Sequence, residues 1–587
     1  MRAIVGVAWL ALALAGCDGN PLARRVEEKS DAGVKASEFP ERVFWGDAHL
    51  HTSNSVDAFG FGVRLGPEEA LRFARGEEVT ASTGIKAKLA RPLDWLVITD
   101  HSDGLGATRA LAEAPRVMIR DPQMRRWHDL MNSGPEGSQK ATAELIDAAA
   151  HNRLPPTMMD REAGAKRTRS IWDKHIDTVE RYNEPGKFTA LLGFEYTLMD
   201  GGKNLHRNVI FRDGGARVRQ IVPLGALGGT VIPDGLWAWM DAYEKKTHGR
   251  VLAIPHNSNL SNGLMFQLTQ PGGGPMTAAY ARRRLAHEPL VEITQIKGDS
   301  EAHPFLSPND EFAGFGVAGW ELGDLAMAET KTPDMFAGEY VREALKRGLT
   351  IQGKTGVNPY KLGVIGSTDS HTALSTGDED NFFGKHTGNE PSAKRATQPQ
   401  NLGRSGGRIG WHYLAGGYAG VWATANTRHA IWDAMLRREV YATTGPRMIV
   451  RFFGGWDFTG NDLKRDWVRA GYRRGVPMGG TLRAGTGRPS FVVSALKDPD
   501  GANLDRVQVV KGWVDKAGNA HERVFDVAWS DPGRRELVGG ALTPVGDTVD
   551  GARATYANTI GATPQATVGS DPQIDYPPRA VKYVPVI

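Results

Sequence analysis

Short apolar runs alternate with amphipathic segments along the chain as far as about residue 440. The runs are rich in aliphatic and β-branched residues, which is typical of β-strands. They lie at positions 42–45, 93–99, 190–196, 209–211, 251–255, 290–296, 364–368 and 419–423. This pattern predicts a series of strands separated by longer connections.

Several of the connections carry helix signals. Residues 67–75 begin with Pro67, Glu68 and Glu69, and acidic residues in a first turn suit the helix dipole. Further helices are predicted at 170–182, 277–286 and 428–437. Strands that alternate with helices favour an α/β layer or barrel over a β-sandwich.

The pattern changes after Arg447. Alternating runs at 490–495, 506–513 and 523–528 are separated by turn signals and show no convincing helix. The sequence therefore predicts an α/β domain, either a layer or a barrel, over 41–446 and a β-rich domain over 447–587. Residues 372–417 are rich in Gly, Asn, Asp and Thr, and we expect a long insertion there that is functional or disordered.

The N-terminus has the layout of a secretory signal. Arg2 is followed by an apolar stretch over 3–15, too short for a spanning helix. The segment Leu14-Ala15-Gly16-Cys17 resembles a bacterial lipobox, which predicts a signal peptide over 1–16, lipidation at Cys17 and a tether over 17–40. We expect a lipid-anchored protein on the periplasmic side of the cell envelope. The sequence does not decide between the inner and the outer membrane. An ordinary signal peptide with an incidental cysteine is the alternative.

Charge adds little to this picture. The chain has 71 Lys plus Arg and 67 Asp plus Glu, so a net charge of +4 is spread over 587 residues. Such a weak field implies no nucleic-acid partner. The composition, with 40% hydrophobic and 24% charged residues, is that of a globular chain and excludes a polytopic membrane protein.

Side chains that can bind metals follow several predicted strands. In an extended segment residues i and i+2 point the same way, so His49 and His51 can present two imidazoles to one metal. Asp369 and His371 repeat this spacing. The carboxyl ends of the strands of a β/α barrel converge on one face, where active sites are built. The remaining candidates are Asp57, His101, Glu195, His206 and His256.

The order of these motifs resembles the PHP (polymerase and histidinol phosphatase) superfamily of metal-dependent phosphoesterases. Within it, segments 44–51, 193–196 and 441–447 resemble the large bacterial group DUF3604, and the resemblance covers 41–587. It implies a distorted β/α barrel, commonly seven-stranded, with two or three divalent metals at one end. The implied ligands are His49, His51 and Asp369 with Glu195 on the first metal, Glu195 bridging to a second metal on His206 and His256, and Asp57, His101 and His371 around a third.

Imidazole and carboxylate ligands suit zinc, manganese or iron. A metal pair about 3.5 to 4 Å apart lowers the pKa of a bridging water and stabilises a leaving oxygen. We therefore expect a metal-bridging hydroxide to hydrolyse a small anionic phosphate mono- or diester, or a related tetrahedral ester such as a sulfate. The expected catalytic residues are Glu195, Asp369, His371 and Arg447, whose guanidinium fits a phosphate or sulfate. Lys297 is a further cation that could meet the substrate.

A second function stays open from the sequence. The chain could be a metal-containing extracytoplasmic binding or structural lipoprotein without turnover. The substrate, the metal and the oligomeric state are not determined by these motifs.

Overall fold

The computed structural model describes residues 26–151, 153–158, 160–226, 232–318, 323, 329–400, 408–413, 416–464, 466–570 and 581–586. The predicted signal peptide, Cys17 and the first part of the predicted tether lie outside these residues, as do 401–407 and 414–415 of the predicted insertion. Among the described helices, none is long and apolar enough to cross a membrane.

The helices of the described residues are mostly in the first three quarters of the chain. They are α1 Val56–Gly60, α2 Pro67–Ala74, α3 Ala107–Glu113, α4 Pro122–Met131, α5 Pro135–Ala150, α6 Arg161–Tyr182, α7 Gly215–Val218, α8 Asp234–Thr247, α9 Ala278–His287, α10 Pro333–Phe336, α11 Val341–Thr355, α12 Arg428–Arg437 and α13 Trp467–Arg474. The predicted helix at 67 begins as expected, because Pro67 takes the first position and Glu69 accepts from the Gly66 N–H at 2.8 Å.

Strands of three or more residues occur along the whole described chain. They are β1 Arg42–Asp47, β2 Trp95–Val97, β3 Thr189–Leu191, β4 Gly193–Tyr196, β5 Arg207–Phe211, β6 Val251–Pro255, β7 Leu290–Gln295, β8 Gly363–Gly366, β9 Tyr418–Ala423, β10 Val440–Thr443, β11 Ile449–Gly455, β12 Ser490–Leu496, β13 Arg506–Val514, β14 Ala520–Trp529, β15 Pro564–Ser570 and β16 Val581–Val586. The chain is therefore a mixed α/β protein.

Strands β1 to β10 form three sheets around a common interior. The first has the order β10-β9-β1-β2-β3, the second β6-β5-β4, and in the third β7 pairs with β8. Pairs β1-β2, β2-β3 and β7-β8 are parallel, and the remaining pairs are antiparallel. All three sheets contribute to one buried apolar cluster that includes Trp95, Ile254, Ile365 and Trp432 of α12.

The hydrogen-bonded ladders of the described strands do not join into one closed barrel. The predicted seven-stranded barrel is therefore not confirmed. The sheets are connected in other ways. Only Leu192 separates β3 from β4, so the chain passes directly from the first sheet to the second. Isolated parallel bridges join Leu50 to Ser370 and His101 to Glu195, and His101 and Glu195 belong to the site described below.

The C-terminal part contains two further antiparallel sheets, with the orders β11-β12-β15 and β14-β13-β16. It also contains α13, which the sequence pattern did not predict and which packs Trp467 and Tyr472 against Phe453. Asp498 ties this part to the first sheets, because its carboxylate accepts from Arg91 Nη2 at 2.6 Å.

The described part of the predicted tether, residues 26–40, lies against other elements. Asp31 pairs with His429 of α12 at 2.8 Å, and the Phe39 ring stacks on Tyr472 of α13 with centroids 4.9 Å apart.

Candidate metal centre

The structure brings all nine predicted metal ligands together at the ends of the strands. They form four overlapping groups, and within each group the candidate ligand atoms lie within 4.8 Å of one another. The groups are His49, His51 and Asp369; His49, Glu195 and His256; His101, Glu195 and His206; and His51, Asp57, His101 and His371. All of these residues except Asp57 are buried.

The first and third sheets are joined directly beneath the site. The Asp47 carboxylate at the end of β1 accepts from the His49 N–H at 3.0 Å and from the Thr368 hydroxyl at 2.6 Å. The Asp369 N–H donates to the His49 carbonyl at 2.9 Å. Burial raises the pKa of Asp47 to about 6, although these donors oppose the rise. The segments that follow β1 and β8 are thus held in a defined relative position.

Hydrogen bonds determine which ring nitrogens carry protons. His49 Nδ1 lies 3.0 Å from the Glu292 carboxylate, which can only accept, so Nδ1 carries a proton. The Ser55 hydroxyl donates to Asp57 at 3.2 Å and lies 2.9 Å from His51 Nδ1, which therefore also carries a proton. In the neutral rings, both Nε2 atoms hold lone pairs.

These two Nε2 atoms lie only 3.1 Å apart. Two nitrogen lone pairs repel each other at this distance unless a cation lies between them. Metal–nitrogen bonds of 2.0 to 2.1 Å in a tetrahedral site separate two ligand atoms by about 3.3 Å. Asp369 Oδ1, at 3.3 Å from His49 Nε2 and 3.4 Å from His51 Nε2, completes this group, and the Lys385 ammonium lies 2.6 Å from the same oxygen. The donor set therefore fits a divalent metal.

Glu195 is the most connected ligand. Its Oε1 lies 2.6 Å from His206 Nδ1 and 2.8 Å from His256 Nε2. Its Oε2 lies 3.2 Å from His51 Nε2 and 3.1 Å from His101 Nδ1. This geometry is that of a bridging carboxylate. Two sets that the resemblance implies lie within these groups, namely His49, His51 and Asp369, and Asp57, His101 and His371. His206 is grouped with His101 and His256 with His49, although both contact Glu195 Oε1.

The buried carboxylates of the centre favour positive charge on the groups around them. Burial alone would raise the pKa of Asp369, but the ammonium groups of Lys297 and Lys385 outweigh it and hold this pKa well below its usual range. Burial opposes charge on His49, yet Asp369 and Glu292 raise its pKa to about 10. In the absence of a metal, a proton would take the place of the missing cation.

Three residues contact the predicted ligands although the sequence did not place them next to these ligands. Glu292 orients His49, and the buried Lys385 Nζ lies 2.6 Å from Asp369 Oδ1. Lys297, which the sequence offered only as a possible substrate contact, pairs with Asp369 Oδ2. A signal for Glu292 existed, since a lone carboxylate in the apolar strand β7 is unusual unless it has a partner. Lys385 lies in the predicted Gly-rich insertion, where no periodic pattern could place it.

Arg447 does not take the predicted catalytic position. Its guanidinium donates to the backbone carbonyls of Pro92 and Arg91 at 2.9 and 2.8 Å, and its backbone N–H donates to Asp498 at 2.5 Å. The side chain is buried at the junction with the C-terminal sheets. Lys297 and Lys385 contact the site instead, through Asp369.

The fold and the site together define a mixed α/β protein with a buried histidine–carboxylate centre that can hold metal ions. The chain belongs to the family described as protein of unknown function DUF3604, whose model matches residues 38–587. A comparison with curated proteins finds no match.

One solved structure is similar over most of its length. It is a two-domain protein from Bacteroides vulgatus described as containing a predicted PHP-like metal-dependent phosphoesterase. The identity is 10%, the TM-score is 0.28, and the match covers 86% of this chain and 91% of that one. A similarity of this size does not establish a shared fold or activity.

Proposed function

We propose that this protein is a metal-dependent hydrolase of phosphate mono- or diesters. The observation that carries the proposal is the pair of facing Nε2 atoms of His49 and His51, 3.1 Å apart and beside two buried carboxylates. A hydrogen-bond network that points lone pairs at each other is costly unless a cation joins them. The motif resemblance to the PHP superfamily supports the same chemistry.

His49, His51 and Asp369 would hold one metal, and Glu195 would bridge to others held with His256, His206 and His101. Divalent metals in such a site acidify a water molecule and stabilise the leaving oxygen of a tetrahedral ester. The donors are nitrogen and oxygen atoms, and the single cysteine of the chain is Cys17, so zinc, manganese or iron would suit the site.

Side chains around the ligands orient the ligand rings and add charge to the site. Glu292 and Ser55 keep the ring orientation of His49 and His51, which is how outer hydrogen bonds usually fix histidine ligands. Lys297 lies beside Asp369, and a cation there would attract an anionic ester. His371 Nε2 lies 2.8 Å from Asp57 Oδ2, and this contact orients the imidazole ring of His371.

Metal analysis and a substrate screen test the proposal together. The purified protein is expected to contain divalent metal by mass spectrometry and to hydrolyse aryl phosphate mono- or diesters. The His49→Ala variant should lose both properties, whereas His521→Ala, in the C-terminal sheets and paired with Asp515, should keep both. A metal-free protein, or turnover that His49→Ala leaves intact, would contradict the proposal.

Aryl sulfates belong in the same screen, because sulfate esters share tetrahedral geometry and differ in charge. Hydrolysis of aryl sulfates alone would show that the protein is a sulfatase and not a phosphoesterase. Metal binding without turnover of any ester would favour the binding or structural role instead.

We also propose that Cys17 anchors the protein to a membrane of the cell envelope, on the periplasmic side. Its support is the lipobox-like segment and the position of the chain's single cysteine directly after an apolar stretch. Cell fractionation tests this directly. Cys17→Ser should release the protein from the membrane fraction, and a variant that stays there would contradict the anchor.

A further inference from the structure

A second cavity lies on the opposite face of β5 from the metal centre. Successive side chains of a strand point to opposite faces, so Arg207 points away from the side that carries His206. The cavity has a volume of about 260 Å³. Its lining includes Arg207, Leu264, Met265, Tyr280, Arg284 and Tyr360.

Two hydrogen-bond donors in this cavity have no hydrogen-bond partner among the residues that the structure describes. The Tyr280 hydroxyl and Arg284 Nη2 are both buried without a hydrogen bond, in residues that are 8% and 4% exposed. Buried donors of this kind are rare, because leaving them unpaired costs free energy. Both belong to α9 and both line the cavity, so a single acceptor could satisfy them together.

The buried charges beside the cavity do not balance. Arg207 and Arg284 share one buried carboxylate, Glu288, whose Oε1 accepts from Arg207 Nε at 3.0 Å and whose Oε2 lies 3.1 Å from Arg284 Nε. Two guanidinium groups and one carboxylate leave one positive charge unbalanced. Asp200 also lines the cavity, but it is half-exposed, and among the described residues no ion pair joins it to either arginine. Water could satisfy the free donors but could not neutralise this charge.

The geometry points to a binding site for a small monocarboxylate with an apolar body. A guanidinium matches a carboxylate fork, and one negative charge balances the site, whereas a phosphate dianion would exceed it. Leu205, Leu264 and Met265 supply apolar walls. The volume is slightly below that of pockets for drug-sized ligands, which favours a compact molecule such as an aromatic acid.

Calorimetry with benzoate on the purified full-length protein tests this site. Benzoate is expected to bind at one site, and neutral benzamide at least tenfold more weakly. Arg284→Gln should weaken benzoate at least tenfold. Its neighbour Arg283 does not line the cavity and pairs with Asp241 of α8, so it provides a matched control, and Arg283→Gln should leave the affinity unchanged.

A second variant guards against loss of folding in Arg284→Gln. Tyr280→Phe removes only the unpartnered hydroxyl, so it should fold, raise the Tm of the free protein and weaken benzoate three- to tenfold. His49→Ala should leave benzoate binding intact, which separates this site from the metal centre. The inference is overturned if acetate, benzoate and phenylacetate all fail to bind, if Tyr280→Phe binds them as tightly as the parent, or if inorganic phosphate binds more tightly than all three.

Discussion

His49 Nδ1 lies 3.0 Å from Glu292 Oε2, and both side chains are buried. The bond orients the imidazole so that Nε2 points at His51 and Asp369. It also increases the basicity of the ring, as a carboxylate behind a ligand histidine generally does. Glu292 therefore sets the orientation and the basicity of His49 without having to contact a metal itself.

Replacing this carboxylate should weaken metal binding. We expect Glu292→Gln to lower metal affinity about tenfold and Glu292→Ala up to about 100-fold, the usual range for such partners. Competition with a chelator measures the change. Glu113→Gln, at an exposed helix end, is the control and should bind metal normally. Unchanged affinity in Glu292→Gln would show that the bond to His49 is incidental.

Removing Lys297 should separate turnover from metal content. Lys297→Met deletes the cation beside Asp369, so we expect kcat/KM for an anionic ester to fall at least tenfold, in the range of electrostatic groups in active sites. Metal content, measured by mass spectrometry, should not fall, because the removed charge opposes a bound cation. The exposed Lys187→Met provides the control. Full activity in Lys297→Met would remove Lys297 from the proposed site.

Arg447 should matter for stability and not for turnover. Arg447→Gln deletes hydrogen bonds from a buried charged group to two backbone carbonyls, and we expect the free energy of unfolding to fall by about 1 to 3 kcal/mol. Urea denaturation measures this loss, and ester hydrolysis at 25 °C should be unchanged. A tenfold loss of kcat with normal stability would restore the catalytic role predicted from the sequence.

His175 should make the protein sensitive to acid. Burial lowers the pKa of its imidazole to about 4, and the ring stacks on Trp172 with centroids 5.2 Å apart. The unfolded chain binds this proton near pH 6.5 and the folded chain only near pH 4. The contribution to stability is therefore complete above pH 6.5 and decreases as the pH falls towards 4, by about 3 kcal/mol in all.

In His175→Gln this part of the pH dependence should disappear, while the exposed His151→Gln should retain it. Denaturation midpoints measured from pH 7 to pH 4 compare the two variants. Parallel curves for His175→Gln and the parent would show that another group is responsible.

Metal binding should release protons. Without a metal, Asp369 and Glu292 outweigh the effect of burial and raise the pKa of His49 to about 10, so the ring is protonated at neutral pH. A metal must displace this proton, and its apparent affinity should rise about tenfold per pH unit between pH 6 and pH 8. Titration calorimetry in buffers of different ionisation enthalpy counts the protons. An affinity that does not change with pH would mean that His49 is neutral before metal arrives.

Much of the candidate centre could be predicted from local sequence. His49 and His51 lie just beyond β1 on either side of the bridged residue Leu50, and side chains two residues apart in an extended segment point the same way. Glu195 lies in a predicted apolar run that forms a strand, and His256 and Asp369 follow two others. All nine predicted ligands lie together in the structure. The helix at 67 was predictable for the same reason, because its Pro and Glu signals are local.

Other features had only weak local signals. Helix α13 is short and rich in arginine, and it is held by contacts of Trp467 and Tyr472 with Phe453. The pairing of His206 with His101 depends on the bridge between His101 and Glu195, two residues far apart in the chain. The role of Lys385 depends in the same way on its contact with Asp369.

The sequence by itself determined the approximate positions of the strands, the ligand types and the family resemblance, because residue identity and short-range periodicity suffice for these. Only the tertiary structure decided which histidine lies with which carboxylate, that lysines rather than Arg447 adjoin the centre, and that Tyr280 and Arg284 line a separate cavity. These outcomes depend on distances between residues from different strands and helices, and such distances exist only once the chain has packed.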